Sequence, residues 1–333
     1  MTSNGIWHKA LNALGRVGLL PLLVLFALIL LSLVEPRFLR QANLINVLRG
    51  TGFLVLIACG QMLVLIVGGF DLSVGAVVAL SSVVSALTMA GLGADGAMSV
   101  WTIIAFGFAA GIGAGLVVGL LNGLCVTYLK VSPFMVTLGT MSIAAGVALY
   151  ISAGAPVYGL PEEFTRIFGR YRFADLPIIV YTAAAAAAVL WLMMNKTVFG
   201  LYVYAIGGDP AAARNSGVSA SAVLISCYAI CGMLAGLTGL LLTARIGSGE
   251  ATLGSTLMLE SIAASVIGGV SLRGGVGRVE NVVLGALILV LVTNAMNLMR
   301  VDSKIQTIVI GIVLILAVAV DAWRQRIRGR RAA

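Results

Sequence analysis

Ten apolar runs, each close to the length of a helix, follow one another near residues 17–34, 53–69, 72–90, 100–128, 133–152, 176–194, 221–243, 257–271, 282–299 and 304–321. A helix needs roughly 20 residues to cross a bilayer core. The chain therefore reads as an all-α polytopic membrane protein of about ten transmembrane helices, with no room for a sizeable extramembrane domain. Only 10% of its residues are charged, at a mean hydropathy of +1.10, whereas soluble domains carry about a quarter charged residues. The run at 100–128 is long enough to tilt or to extend past the bilayer, and the short run at 257–271 is expected to be broken or buried inside the bundle. The first run is followed by Glu35-Pro36-Arg37 and not by a small-residue cleavage site, so it reads as a transmembrane helix and not as a removable leader.

The net charge of +9 comes from 21 basic and 12 acidic residues. The basic ones sit in short loops and near the termini, which is the orientation signal of a membrane protein and not a nucleic-acid footprint. If the N-terminus is cytoplasmic, twelve basic residues face the cytoplasm (Lys9, Arg16, Lys130, Lys196, Arg214, Arg273, Arg278 and five from Arg324 to Arg331) and nine face outside. The even count of runs and the dense juxtamembrane cluster from Arg324 place both termini in the cytoplasm. The organisation expected is a cytoplasmic segment 1–16, a transmembrane domain 17–322 with a cytoplasmic loop 195–218, and a basic cytoplasmic tail 323–333. Cys59, Cys125, Cys227 and Cys231 all fall inside apolar runs, where a thiol behaves as a small hydrophobe. With no histidine near them, neither a metal site nor a disulfide is expected.

Nearly half of the 41 glycines lie inside the apolar runs, where small residues let helix backbones approach. Gly111, Gly115 and Gly119, spaced by four, mark such a packing face. The stretch Gly68-Gly69-Phe70-Asp71-Leu72-Ser73-Val74-Gly75 shares four of eight positions with Gly268-Gly269-Val270-Ser271-Leu272-Arg273-Gly274-Gly275. This echo suggests two related halves, with the backbone leaving the regular helix in both places.

Intrinsic catalysis finds little support. A nucleotide-cradling loop needs a Gly-Lys pair, and none occurs; the single histidine, His8, precedes the first run. No metal or cofactor is expected on this chain. Glu260, set among Leu257-Met258-Leu259 and Ser261-Ile262-Ala263-Ala264, is the most isolated acid and is a functional candidate by default; a place at the membrane edge, or a capping role, competes. Asp71 lies either beside a transport path or as an N-terminal cap of the following helix. Gln61, Asn122, Asn294 and Asn297 either join helices or line a pore. In the loop 195–218, Asp209 can cap, Pro210 suits a first helical position, Ala213 and Arg214 continue the turn and Gly217 ends it. A short capped helix flanked by Gly207 and Gly208 and bearing one arginine is shaped to enter a groove on another protein.

At this loop the chain resembles the permease subunits of bacterial ATP-binding cassette importers of the ribose type. The likeness is carried by Gly68–Gly75, by Ala205-Ile206-Gly207-Gly208-Asp209 through Val218, and by Ala244–Gly249 continuing through Glu260 to Gly277. The resemblance implies an ABC permease bundle that moves a monosaccharide inward. A separate cytoplasmic ATPase would hold the ATP and magnesium, a second permease copy or paralogue would complete the path, and a periplasmic sugar-binding protein would deliver cargo to the outer loops around 35–50, 153–175 and 245–256. It makes Gly207, Gly208, Asp209, Pro210, Ala213, Arg214 and Gly217 the coupling element, and sets Gln61, Asp71, Ser73, Asn122, Glu260 and Asn294 by the path. Two departures, Arg278-Val279-Glu280-Asn281 after Gly277 and Met299-Arg300-Val301, leave the cargo open to an autoinducer-type sugar, a nucleoside or a branched-chain amino acid. An ion-coupled secondary transporter, drawing on Asp71 and Glu260, is the reading from a different class.

Overall fold

The computed structural model describes residues 19–332 except residue 95, with side chains through residue 319. The segment 1–16 lies outside the described residues, and of the tail only a helical backbone is described. The helices are α1 (Leu19–Val34), α2 (Gln41–Ile66), α3 (Val74–Gly93), α4 (Val100–Tyr128), α5 (Pro133–Ile151), α6 (Ile178–Lys196), α7 (Val198–Gly208), α8 (Pro210–Asn215), α9 (Ala220–Ile246), α10 (Leu257–Ile267), α11 (Val279–Leu298) and α12 (Ser303–Ala332), with a short helical segment at 162–170. A two-residue hairpin pairs Arg172–Phe173 with Leu176–Pro177.

Seven helices among the described residues, α2 to α6, α9 and α11, are long and apolar enough to cross a membrane. One of the ten runs is cut short: the run at 257–271 supplies only the 11-residue α10, which ends at Gly268-Gly269. Conversely, α2 starts at Gln41, well before its apolar run, because the polar Asn43, Asn46 and Arg49 in its first turns depress the local hydropathy.

Helix α2 is the centre of the bundle. From Gly52 to Ile66 every residue is buried, and α9, α11, α10 and α6 pack around it. A helix apolar on all sides suits a position fully enclosed by other helices. At the periphery, α5 and α6 turn Phe134, Met135, Ile143, Trp191 and Leu192 outward, as expected for lipid-facing helices.

The tightest pairing, α4 against α9, is built on glycines. A Cβ on Gly115 would run into the Gly232 carbonyl, one on Gly119 into the Tyr228 carbonyl, and one on Gly232 back into Gly115. Backbones in direct contact gain dispersion energy that larger side chains would forbid, which substitutes for the hydrophobic effect missing between helices in lipid. The spacing of Gly111, Gly115 and Gly119 thus has the packing role expected of it.

Both halves of the Gly-Gly echo end a buried helix in the same way. After α2, Gly68 takes φ +76°, its N–H donates to Leu65 O at 3.0 Å, and Gly69 N–H reaches Val64 O at 2.8 Å. After α10, Gly269 takes φ +82°, donating to Val266 O at 2.8 Å, while Val270 N–H reaches Ser265 O at 3.0 Å. These are Schellman closures, which need a left-handed residue and so favour glycine. Beyond the first, the non-helical backbone is bonded by side chains. The Tyr228 hydroxyl accepts from Phe70 N–H and donates to Phe70 O, each at 3.2 Å, and Thr137 Oγ1 also donates to Phe70 O at 3.2 Å.

Asp71 does not cap α3 through its first-turn amides. Its Oδ1 accepts from the N–H and Oγ of Ser73 at 2.8 and 2.6 Å. Asn122 Nδ2 donates to Ser73 Oγ at 2.9 Å and Thr140 Oγ1 to Asn122 Oδ1 at 2.7 Å. The result is one chain of donors tying α5, α4 and the break before α3 to a buried carboxylate.

Two stability effects follow. Gly115→Val, forcing α4 from α9, should destabilise the protein by about 3 kcal/mol, the upper end of overpacking, whereas Gly113→Ala, which faces open space, should stay within about 0.5 kcal/mol. Asn122→Ala, which removes the link between Thr140 and Ser73, should cost about 1–3 kcal/mol. Denaturation in detergent reads both.

Candidate functional site

A cleft of about 590 Å³ opens between α2, α9, α10 and α11, within the size range of small-molecule sites. One wall is the first half of α2, carrying Asn43, Asn46, Gly50 and Phe53; the facing wall is the last turns of α11, carrying Thr293, Asn294 and Asn297. Leu257 and Glu260, in the first turn of α10, and Leu253 and Gly254 just before it complete the lining together with Arg245 from the end of α9. Helix α10 starts so deep because the segment before it runs down along α3: Gly249 lies against Ser82 and Ala86, and Gly254 against Gly75 and Val78.

The polar groups of the cleft are each partly paired: Asn46 Oδ1 accepts from Arg49 at 3.5 Å, Asn297 Oδ1 accepts from Gln306 Nε2 at 2.8 Å, and Thr293 Oγ1 donates to Val290 O at 3.0 Å. Asn43 and Asn294 exchange amide hydrogen bonds at 3.1 and 2.8 Å, joining α2 to α11. The Arg245 guanidinium stands 5.8 Å over the Phe53 ring, a cation–π contact. Among the described residues neither Arg245 nor Glu260 forms an ion pair. Beside Leu298, which lines the cleft, Arg37 holds the Glu35 carboxyl down at about 2 through hydrogen bonds and donates to Leu298 O at 3.1 Å. A cleft presenting amides, one cation and one carboxylate among Val47, Leu54 and Leu242 can hydrogen-bond a small polar solute while contacting its apolar faces.

The six residues set against the path separate into three groups. Glu260 and Asn294 line the cleft; Asp71, Ser73 and Asn122 form the buried knot described above; Gln61 is buried in α2, and its amide has no hydrogen-bond partner among the described residues. Sequence reasoning missed Asn43, Asn46, Thr293 and Arg245 as cleft residues and left Asn297 between joining helices and lining a pore. The signal was present as amides three apart on two helices, Asn43 with Asn46 and Asn294 with Asn297. It went unread because hydropathy weighs a polar residue without its direction.

In the loop 195–218 the capped helix is present. Asp209 accepts from the N–H groups of Ala211 and Ala212 at 2.9 and 3.0 Å, Pro210 opens α8, and Gly217, at φ +83°, closes it as a Schellman turn, with Val218 N–H on Ala213 O at 3.1 Å. Gly207 and Gly208, which flank the capped helix, are themselves the end of helix α7. Glycine's poor helix propensity is overridden by packing: a Cβ on Gly207 would strike the Ile66 carbonyl. Pro210, Ala211, Ala212 and Arg214 are exposed, while Ala213 packs into the core.

Residues 43–318 match the family described as branched-chain amino acid transport system / permease component. The chain is 40% identical over 303 residues to the ribose import permease protein RbsC of Bacillus subtilis, covering 90% of this chain and 91% of that protein. It is 36% identical over 311 residues to RbsC of Escherichia coli K12, covering 92% and 94%. It is 38% identical over 316 residues to the galactose/methyl galactoside import permease protein MglC of Haemophilus influenzae, covering 91% and 92%. No solved structure gives a significant match. With a match running from the first turns of α2 into α12 and relatives alike over nine-tenths of their length, the chain belongs to this family of transport-system permease components.

Proposed function

We propose that the chain is the membrane-spanning permease subunit of an ATP-binding cassette importer that brings a monosaccharide of the ribose or galactose kind across the bacterial inner membrane. Its likeness over nine-tenths of the chain to permeases named for ribose and galactose import carries the reading. The cleft supports the sugar over the branched-chain amino acid of the family's description: Asn46, Thr293, Asn297 and Glu260 offer hydrogen bonds to several hydroxyls, and the apolar residues between them match the C–H faces of a sugar ring. In this reading Glu260 and Asn294 line the path, with Asn43, Asn46 and Arg245, and a second permease copy or a paralogue encloses it. Asp71, Ser73 and Asn122 serve the path by fixing the helices around it.

A separate ATPase supplies the energy and holds the ATP and magnesium, and a periplasmic binding protein presents the sugar to the outer loops. The ATPase docks on the exposed face of α8, with Arg214 set to pair with an acid there. Asp209, Pro210 and Gly217 fix the ends of that helix, Gly208 lies exposed beside it, and Ala213 and Gly207 anchor it inward.

Tagged permease purified from native membranes should bring an ATPase and a sugar-binding protein with it, identified by mass spectrometry; recovery of the permease alone, with uptake driven by an ion gradient, would replace this reading with a secondary transporter. Arg214→Glu should lower ATPase recovery about tenfold, the effect of reversing an interfacial charge, while the permease still reaches the membrane. Glu260→Gln should cut sugar uptake to about a tenth at unchanged permease abundance; equal loss of both would assign Glu260 to folding.

A further inference from the structure

Three stretches of main chain meet without side chains between them at the end of the bundle where α2 stops. Ile66, the last residue of α2, offers its carbonyl to Gly275 N–H at 2.8 Å. Gly207, in the last turn of α7, lies so close that a Cβ would strike both the Ile66 carbonyl and the Gly275 nitrogen. A Cβ on Gly274 would come within 2.9 Å of both Gly207 O and Ile66 O, and one on Gly275 within 3.1 Å of Gly208. Tyr204, one turn earlier on α7, reaches over and donates its hydroxyl to Gly277 O at 2.7 Å. Asp209 ends α7 and caps α8, so the two helices are joined at a single residue with no slack.

The elements gripped here are those that build the cleft. Helix α2 carries Asn43, Asn46 and Phe53, with Asn46 about 30 Å up the helix from Ile66, and its enclosed second half has no room to bend. The turn 271–277 follows α10, which carries Glu260, and leads into α11, which carries Thr293, Asn294 and Asn297. Packed interiors transmit displacement because they are close to incompressible, and main chain against main chain leaves no rotamer to absorb it.

We infer that Gly207 and Tyr204 are positioning residues that transmit movement of α8 to both walls of the cleft, by holding the end of α7 against the Ile66 carbonyl and the Gly274–Gly277 turn. The inference rests on the proposed docking of an ATPase on α8, and it separates docking, which uses the exposed face of α8, from transmission, which uses the buried end of α7.

The test is the complete importer, permease with its ATPase and binding protein, reconstituted in vesicles, with sugar uptake and ATP hydrolysis measured in the same sample. Tyr204→Phe should lower sugar moved per ATP hydrolysed about fivefold, the share one hydrogen bond carries. Gly207→Ala should lower it more than about tenfold, by prising the junction open. In both, the ATPase should co-purify as with the unaltered protein. Gly146→Ala, at an open position on α5, should leave the ratio unchanged. A purely structural role would lower permease abundance and leave uptake per ATP of the surviving complexes intact, and that result overturns the inference. Where Gly207→Ala does not accumulate, Tyr204→Phe alone decides by the same ratio. Failure of the unaltered permease to recover an ATPase would instead overturn the docking reading, and the inference with it.

Discussion

A helix that stops inside a packed bundle leaves carbonyl groups with no water to bond, and the architecture is arranged around two such stops. One follows Ile66 and the other follows Ile267. Each is closed by a glycine in the left-handed conformation, and the irregular backbone beyond is bonded from neighbouring elements: Tyr228 and Thr137 on Phe70, and Gly275 on Ile66. Buried in protein in this way, the non-helical backbone keeps its polar groups bonded. The second stop is what makes α10 a half-length helix, whose first turn carries Glu260 into the lining of the cleft.

Close packing makes these stops rigid. The glycine faces of α4 and α9 bring two main chains into contact, and Gly239 of α9 sits equally close to Val78 of α3. Tyr228, held within this triple contact, is thereby fixed where it can serve Phe70. Glycine packing, main-chain satisfaction and the Asp71 knot are three expressions of one economy: in lipid, helices are held by fit and by hydrogen bonds, because burial of apolar area does little to bring helices together there. The cleft is the exception, a place where amides and charges remain incompletely paired and thus free for a solute.

Much of the fold could be read from one dimension. Apolar run length located every long helix, the spacing of Gly111, Gly115 and Gly119 marked a packing face, and Asp209, Pro210 and Gly217 outlined a capped helix residue by residue. These are local properties, written in a few consecutive side chains. What misled was the assumption that polar residues and glycines end a helix: the asparagines at the start of α2 and the glycines at the end of α7 lie within helices because tertiary neighbours accept them there. Asp71 and Glu260 are equally conspicuous as isolated acids, yet one belongs to a closed hydrogen-bond chain and the other to an open cleft, a difference that depends on partners distant in sequence.

The sequence by itself determined that the chain is a membrane-embedded helical bundle with a capped helix in the loop before α9, because hydropathy, caps and glycine spacing act over a turn or two of helix. Only the tertiary structure decided which polar residues share a cleft and which are locked in the core, and that Gly207 meets Ile66 and Gly275. Those outcomes join residues some seventy to two hundred and fifty positions apart, and their cause is the direction a helix face takes once it is packed, which no local pattern encodes.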